Sequence, residues 1–191
     1  MQPVSGHTRS SSPQVLELQL RSTRARWFSE ILSGRYDSMD CEPPGLPHRT
    51  DGTEAERVRM FVNAPGGIPL PPYGSWWMDV ELMGPSCTAL ADFYKEEGLR
   101  NADGAGPVDF LPAEMEFLHF LLQHQLAATL THQDDLIAQI QARIQEFQDR
   151  FLLPWVPEFC RKGREITEDP YWVAVFAALE DFLTPKRDRV G

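Results

Sequence analysis

Cysteine, cationic charge and long apolar runs are all scarce in this chain, and each shortage removes a class of function. The three cysteines, Cys41, Cys87 and Cys160, are an odd number at wide spacings with no Cys-x-x-Cys pair. That rules against a disulfide framework or a structural zinc site and leaves reduced, buried thiols. Lys and Arg number 18 against 28 Asp and Glu, for a net charge of −10 and a pI near 4.9. Such a surface repels phosphate backbones and anionic lipid at long range and attracts cationic peptides. The longest apolar stretch, Phe117 to Leu122, is broken by His119 and is far shorter than the ~20 residues of a membrane span. The opening MQPVSGHTRSSSP is followed by the charge-interrupted VLELQLRSTRARW, so no secretory h-region is expected and the cytoplasm is the expected compartment.

Catalytic signatures are missing too. No Gly-x-Ser-x-Gly elbow, Walker loop or Gly-x-Gly-x-x-Gly turn occurs, and Gly66-Gly67 lies among prolines, where no phosphate cradle forms. Glu116-x-x-His119 has the spacing of a di-iron bundle but lacks its second copy, so His119 reads as a core or boundary histidine. No segment alternates with period two, and nothing repeats.

What is present is helical periodicity. Across 191 residues, 42% of them hydrophobic, it predicts one irregular all-α domain over 14–185, with flexible ends at 1–13 and 186–191. Leu16, Leu20, Trp27 and Ile31 suggest the buried face of a first helix. Residues 37–52 read as a loop, and Thr53 with Glu56 as a capping box opening the next helix. Four prolines and three glycines between Asn63 and Gly74 make a crossing segment or hinge. Ser86 is the expected cap of the following helix and Gly98 its end. Leu111, Met115, Leu118, Leu122 and Leu126 mark a core helix, and Thr131 with Asp134 a capping box for the stripe Ile137, Ile140, Ile144, Phe147 and Phe151. Pro154 stops or kinks that helix, a short one follows from Val156 to about Lys162, and Thr167–Pro170 cap a last helix burying Trp172, Phe176, Leu179 and Leu183.

Three blocks carry a more specific signal. Pro72-Tyr73-Gly74-Ser75-Trp76-Trp77-Met78-Asp79 is followed by Gly84 and by Phe93-Tyr94 ahead of Gly98-Leu99. Asp109-Phe110-Leu111-Pro112-Ala113-Glu114-Met115-Glu116-Phe117-Leu118 is the second block. The third is Phe151-Leu152-Leu153-Pro154-Trp155-Val156-Pro157-Glu158-Phe159. In this order, over residues 72 to 160, the chain resembles the TorD/DmsD/NarJ family of molybdoenzyme maturation chaperones. The departure is Phe110, which stands where that family has a histidine after the aspartate. It moves the chain toward the branches serving dimethyl sulfide, selenate or nitrate type enzymes.

The resemblance implies a TorD-like helical bundle that binds the leader of a molybdopterin oxidoreductase catalytic subunit and holds it until its cofactor is inserted, before twin-arginine export. It implies no catalytic residue, metal or cofactor of the chaperone's own, and a monomer or domain-swapped dimer. Leader binding would fall to Trp76, Trp77, Asp79, Asp109, Phe110, Glu114 and Trp155. Other roles stand beside these. Asp109 can cap the helix after it, Asp79 and Glu81 can form a solvated acidic face, and only one of the adjacent Trp76 and Trp77 can point inward. The rival reading is a helical enzyme or small-molecule binder with a dry pocket lined by Trp76, Phe93, Met115 and Phe117.

Overall fold

The computed structural model describes residues 12–36, 43–99 and 106–184, so Cys41 and most of the two expected flexible ends lie outside the described residues. Within them the chain is helical: α1 (Pro13–Ser33), α2 (Asp51–Phe61), α3 (Gly74–Met78), α4 (Pro85–Glu96), α5 (Leu111–Leu130), α6 (Asp134–Phe147), α7 (Val156–Ile166) and α8 (Pro170–Leu183). A π-helical turn, Gln148–Leu152, carries α6 toward the corner at Pro154. Among the described residues there is no strand, only an isolated antiparallel bridge between Tyr73 and Phe110.

The long α5 is the axis. Its expected core positions Leu111, Met115, Leu118, Leu122 and Leu126 are all buried, and α1 and α6 pack along it. α1 does so through a face that agrees with the expected one at Trp27 and Ile31, both buried, and differs from it in the first turns. Leu16 and Leu20 are exposed, whereas Val15, Leu18, Ser22, Ala25, Phe28 and Leu32 are buried. The small Ser22 and Ala25 allow close approach, and Ser22 replaces apolar contact with hydrogen bonds. Its Oγ lies 2.8 Å from His119 Nδ1 and accepts from Gln123 Nε2 at 2.6 Å. His119 is thereby a satisfied boundary histidine, as its surroundings suggested.

Two aromatic clusters fill the interior. Phe93, Phe117, Phe147 and Phe151 interlock between α4, α5, the end of α6 and the π-helical turn, with several ring pairs edge-to-face. Phe61, Phe159, Trp172 and Phe176 do the same among α2, α7 and α8, and Trp172 Nε1 donates to Thr53 O at 2.9 Å. Gly163 of α7 is required here, since a Cβ would stand 2.5 Å from the Phe176 ring. Leu70, buried and donating its N–H to Met60 O at 3.0 Å, pins the Pro/Gly segment between α2 and α3.

Several caps differ from expectation. α2 starts at Asp51, inside the expected loop; Thr50 is its N-cap, with Thr50 N–H donating to Thr53 Oγ1 at 3.0 Å, while Glu56 pairs with Arg59 and Thr167. Gly84, not Ser86, is the N-cap of α4. Gln133 precedes α6, and Thr131 closes α5 by donating to Ala127 O. α7 runs on to Ile166, past the expected end near Lys162. At α8 the expectation holds: Asp169 Oδ1 accepts from Tyr171 N–H at 2.8 Å and Pro170 occupies the first turn.

Candidate functional site

The three sequence blocks meet where the Pro-rich segment reaches the start of α5. Leu111 N–H donates to Pro72 O and Gly74 N–H to Asp109 O, each at 2.9 Å, so residues 72–75 are stitched to 109–111. Asp109 is only 2% exposed. Its Oδ2 accepts from Ser75 N–H at 2.8 Å and Ser75 Oγ at 2.5 Å. Phe110 takes the N-cap position of α5, so Asp109 caps the first turn of α3 instead of its own helix. Ser75 Oγ also accepts from Met83 N–H at 3.0 Å, tying in the loop after α3.

Asp79 repeats the device. From the end of α3 its Oδ2 accepts from Ser86 N–H at 2.9 Å and Ser86 Oγ at 2.5 Å, capping α4 across the loop. Gly84 makes room for it, because a Cβ there would lie 2.5 Å from that oxygen. The blocks' glycine, serine and aspartates are therefore a mutual capping system.

Glu114, in the first turn of α5, is fully buried. Burial, and after it the negative charge of Asp109, holds its carboxyl well above the usual carboxylate range. Gly74 is packed against it: a Cβ there would come within 3.1 Å of Glu114 Oε1 and 3.2 Å of Trp155 Nε1. Tyr94 of α4 is raised too, by burial and then by Glu114 and Asp109. Burial and Asp109 push the Cys87 thiol up to about 11, so it is no nucleophile at neutral pH.

The aromatic candidates surround this knot. Trp155 is buried, donates Nε1–H to Phe151 O at 2.6 Å and stacks on Trp77 at 6.4 Å between centroids. Trp77 is half-buried, donates to Pro71 O at 2.8 Å, and carries the Lys162 ammonium over its ring at 5.7 Å. Phe110, also half-buried, faces Tyr73 at 5.5 Å. Trp76 points outward, 44% exposed, so the adjacent tryptophans divide as the backbone requires. Phe93 and Phe117 interlock with the core rings and Met115 is buried, so with Trp76 at the surface these four do not wall one dry pocket.

The sequence reading missed the loop between α3 and α4. Val80 is 81% exposed, Met83 70%, and Leu82 is exposed beside the acidic Glu81. Val80 and Met83 have φ of 62° and 60°. A β-branched residue in that left-handed region is strained. The only sequence signal was an apolar V-E-L-M run between two breakers, and nothing in it announces exposure. With Trp76 these are exposed apolar side chains on α3 and the loop after it, and the loop is tied through Met83 N–H and Ser75 Oγ to Asp109.

Among the described residues no group of three or more His, Cys, Asp or Glu can hold a metal, and no helix is long and apolar enough to cross a membrane. A search of curated proteins finds no match. A solved structure from Archaeoglobus fulgidus, described as a redox enzyme maturation protein, superposes with a TM-score of 0.57 at 23% identity, covering 85% of this chain and 93% of its own, and so supports the fold. Residues 47–161, from the approach to α2 into α7 and spanning the whole knot, match the family described as nitrate reductase delta subunit. More than half of the chain lies within that match, and the protein belongs to this family of NarJ/TorD-type chaperones.

Proposed function

We propose that this protein is a non-catalytic cytoplasmic chaperone that binds the leader or N-terminal region of a molybdopterin oxidoreductase catalytic subunit, holding it for cofactor insertion before twin-arginine export. The observation that carries the reading is the exposure of Trp76 on α3 and of Val80, Leu82 and Met83 on the strained loop after it, a ridge of apolar residues close in sequence on a strongly acidic protein. A leader joins a basic segment to an apolar one, so it needs both an apolar seat and carboxylates. Trp76 and the loop cover the apolar turn, and Trp77, Phe110 and Trp155 form the wall behind them. Asp79 holds the loop in place. Asp109 and Glu114 receive the basic end once α3 moves off the start of α5. A client that is never exported is a second reading, favoured by the nitrate reductase description of the matched family.

Calorimetric titration of a synthetic leader peptide tests this. Trp76→Ala removes an exposed indole, so affinity falls about tenfold or more with the thermal midpoint unchanged. Asp109→Asn keeps acceptors for the Ser75 hydrogen bonds but loses the charge, so affinity falls about tenfold and the salt dependence flattens. Unchanged affinity in both variants refutes this site. A peptide with both leader arginines changed to glutamine separates the two clients, binding equally well only if the recognised segment is not a twin-arginine leader.

A further inference from the structure

Glu114 and Asp109 leave three buried carboxylate oxygens without a hydrogen bond: both of Glu114 and Oδ1 of Asp109. Such groups are nearly always satisfied in folded proteins, and two buried anions side by side are unfavourable. The groups around Glu114 are Asp109 from the segment before α5, Tyr94 from α4 with Cys87 beyond it against Asp109, the Gly74 backbone of α3, and the Trp155 indole; none carries positive charge. A proton on Glu114 leaves a single buried negative charge in the pocket. A guanidinium placed between two ionised carboxylates leaves the same net charge, so either occupant satisfies the pocket and only one can be present.

The cover is suited to opening. α3 is five residues long and held to the start of α5 by polar contacts, Gly74 N–H to Asp109 O and Ser75 to the Asp109 carboxylate, while Trp77 ties it to the aromatic core by stacking on Trp155 and meeting Phe159 edge-on. A single short turn with one partly buried aromatic anchor opens more readily than the long helices that carry the core. Its outer surface continues into the apolar ridge, so a segment seated on Trp76 and Met83 has its neighbouring residues beside the lifted helix.

We propose that the proton on Glu114 and a cationic side chain of the client's leader are alternative occupants of this pocket: leader binding draws α3 from α5, an arginine or lysine enters between Glu114 and Asp109, and the proton passes to solvent. This rests on the leader-binding reading. Binding then releases about one proton, so affinity rises about tenfold per pH unit while Glu114 is protonated in the free protein and ionised in the complex. Acidification discharges the client.

The test is calorimetric titration of an N-acetylated synthetic leader peptide, two arginines followed by an apolar stretch, at pH 6, 7 and 8 in phosphate and in Tris. The expected result is a tenfold gain in affinity per pH unit and a difference in heat between buffers equal to about one proton released. Glu114→Gln, isosteric with the neutral carboxyl, abolishes both. Binding that is pH-independent with no proton released overturns the proposal and leaves leader binding standing. An undiminished slope in Glu114→Gln assigns the proton elsewhere and also overturns it. No binding at any pH overturns both readings.

Discussion

Glu114→Gln is expected to stabilise the free protein, by an amount that depends on pH. The carboxyl is fully buried without a hydrogen bond, and burial and Asp109 hold it protonated far above the range where an unfolded glutamate ionises. Below about pH 4.3 folded and unfolded chains both carry the proton, and the group has no effect on stability. Above that value the folded state retains a proton that the unfolded chain releases, so stability falls by about 1.4 kcal/mol per pH unit until the folded carboxyl itself ionises. At pH 7 the penalty reaches about 4 kcal/mol as an upper bound. Glutamine fills the same volume without it, although its amide N–H groups need acceptors, leaving a net gain of about 1–3 kcal/mol. For a chain of this size that raises the thermal midpoint by roughly 2–4 °C per kcal/mol. Thermal unfolding followed by circular dichroism at pH 4.5, 6, 7 and 8 reads the effect, which should be a small loss at pH 4.5, where only the amide cost acts, and should turn into a gain as pH rises. A variant less stable than the parent by the same amount at every pH would refute the reasoning.

Two further perturbations follow from the geometry. Val80→Gly relieves a β-branched residue held at φ 62° and is expected to stabilise the protein by about 1 kcal/mol, read as a midpoint raised by a few degrees; an unchanged or lower midpoint removes the strain argument. The Pro/Gly segment from Asn63 to Gly74 joins two helical halves and is pinned by Leu70, so Leu70→Ala should increase a slowly exchanging dimer on size-exclusion chromatography, and a strictly monomeric profile at all concentrations excludes half-exchange.

The core helices were legible because their apolar residues recur at helical spacing: α5 and α8 bury the positions their periodicity named. In α1 the buried Trp27 and Ile31 were legible but the first turns were not, because Leu16 and Leu20 repeat as well as Val15 and Leu18 do. The choice between the two faces was made by Ser22, Ala25 and the partner His119, about a hundred residues away. Caps failed for a related reason, since Asp79 serves Ser86 and Asp109 serves Ser75 through tertiary contacts that no local pattern encodes. The three blocks come together in space, with Asp109, Glu114, Trp77, Phe110 and Trp155 around the junction of α3 and α5. Their burial was illegible, as was the exposure of Val80, Leu82 and Met83, because both depend on how α3 sits against α5.

The central claim is that a client leader docks on the loop between α3 and α4 and lifts α3 from α5. Amide hydrogen exchange of the protein with and without a saturating synthetic leader peptide tests it directly. The account predicts slower exchange across residues 76–83, where the ridge becomes covered, together with faster exchange at Gly74, Ser75 and Leu111, whose N–H groups close the knot between α3 and α5. Protection confined to another face, such as the groove of about 570 Å³ lined by His124, Leu136 and Ile140 between α5 and α6, with residues 74–83 and Leu111 unchanged, would contradict it.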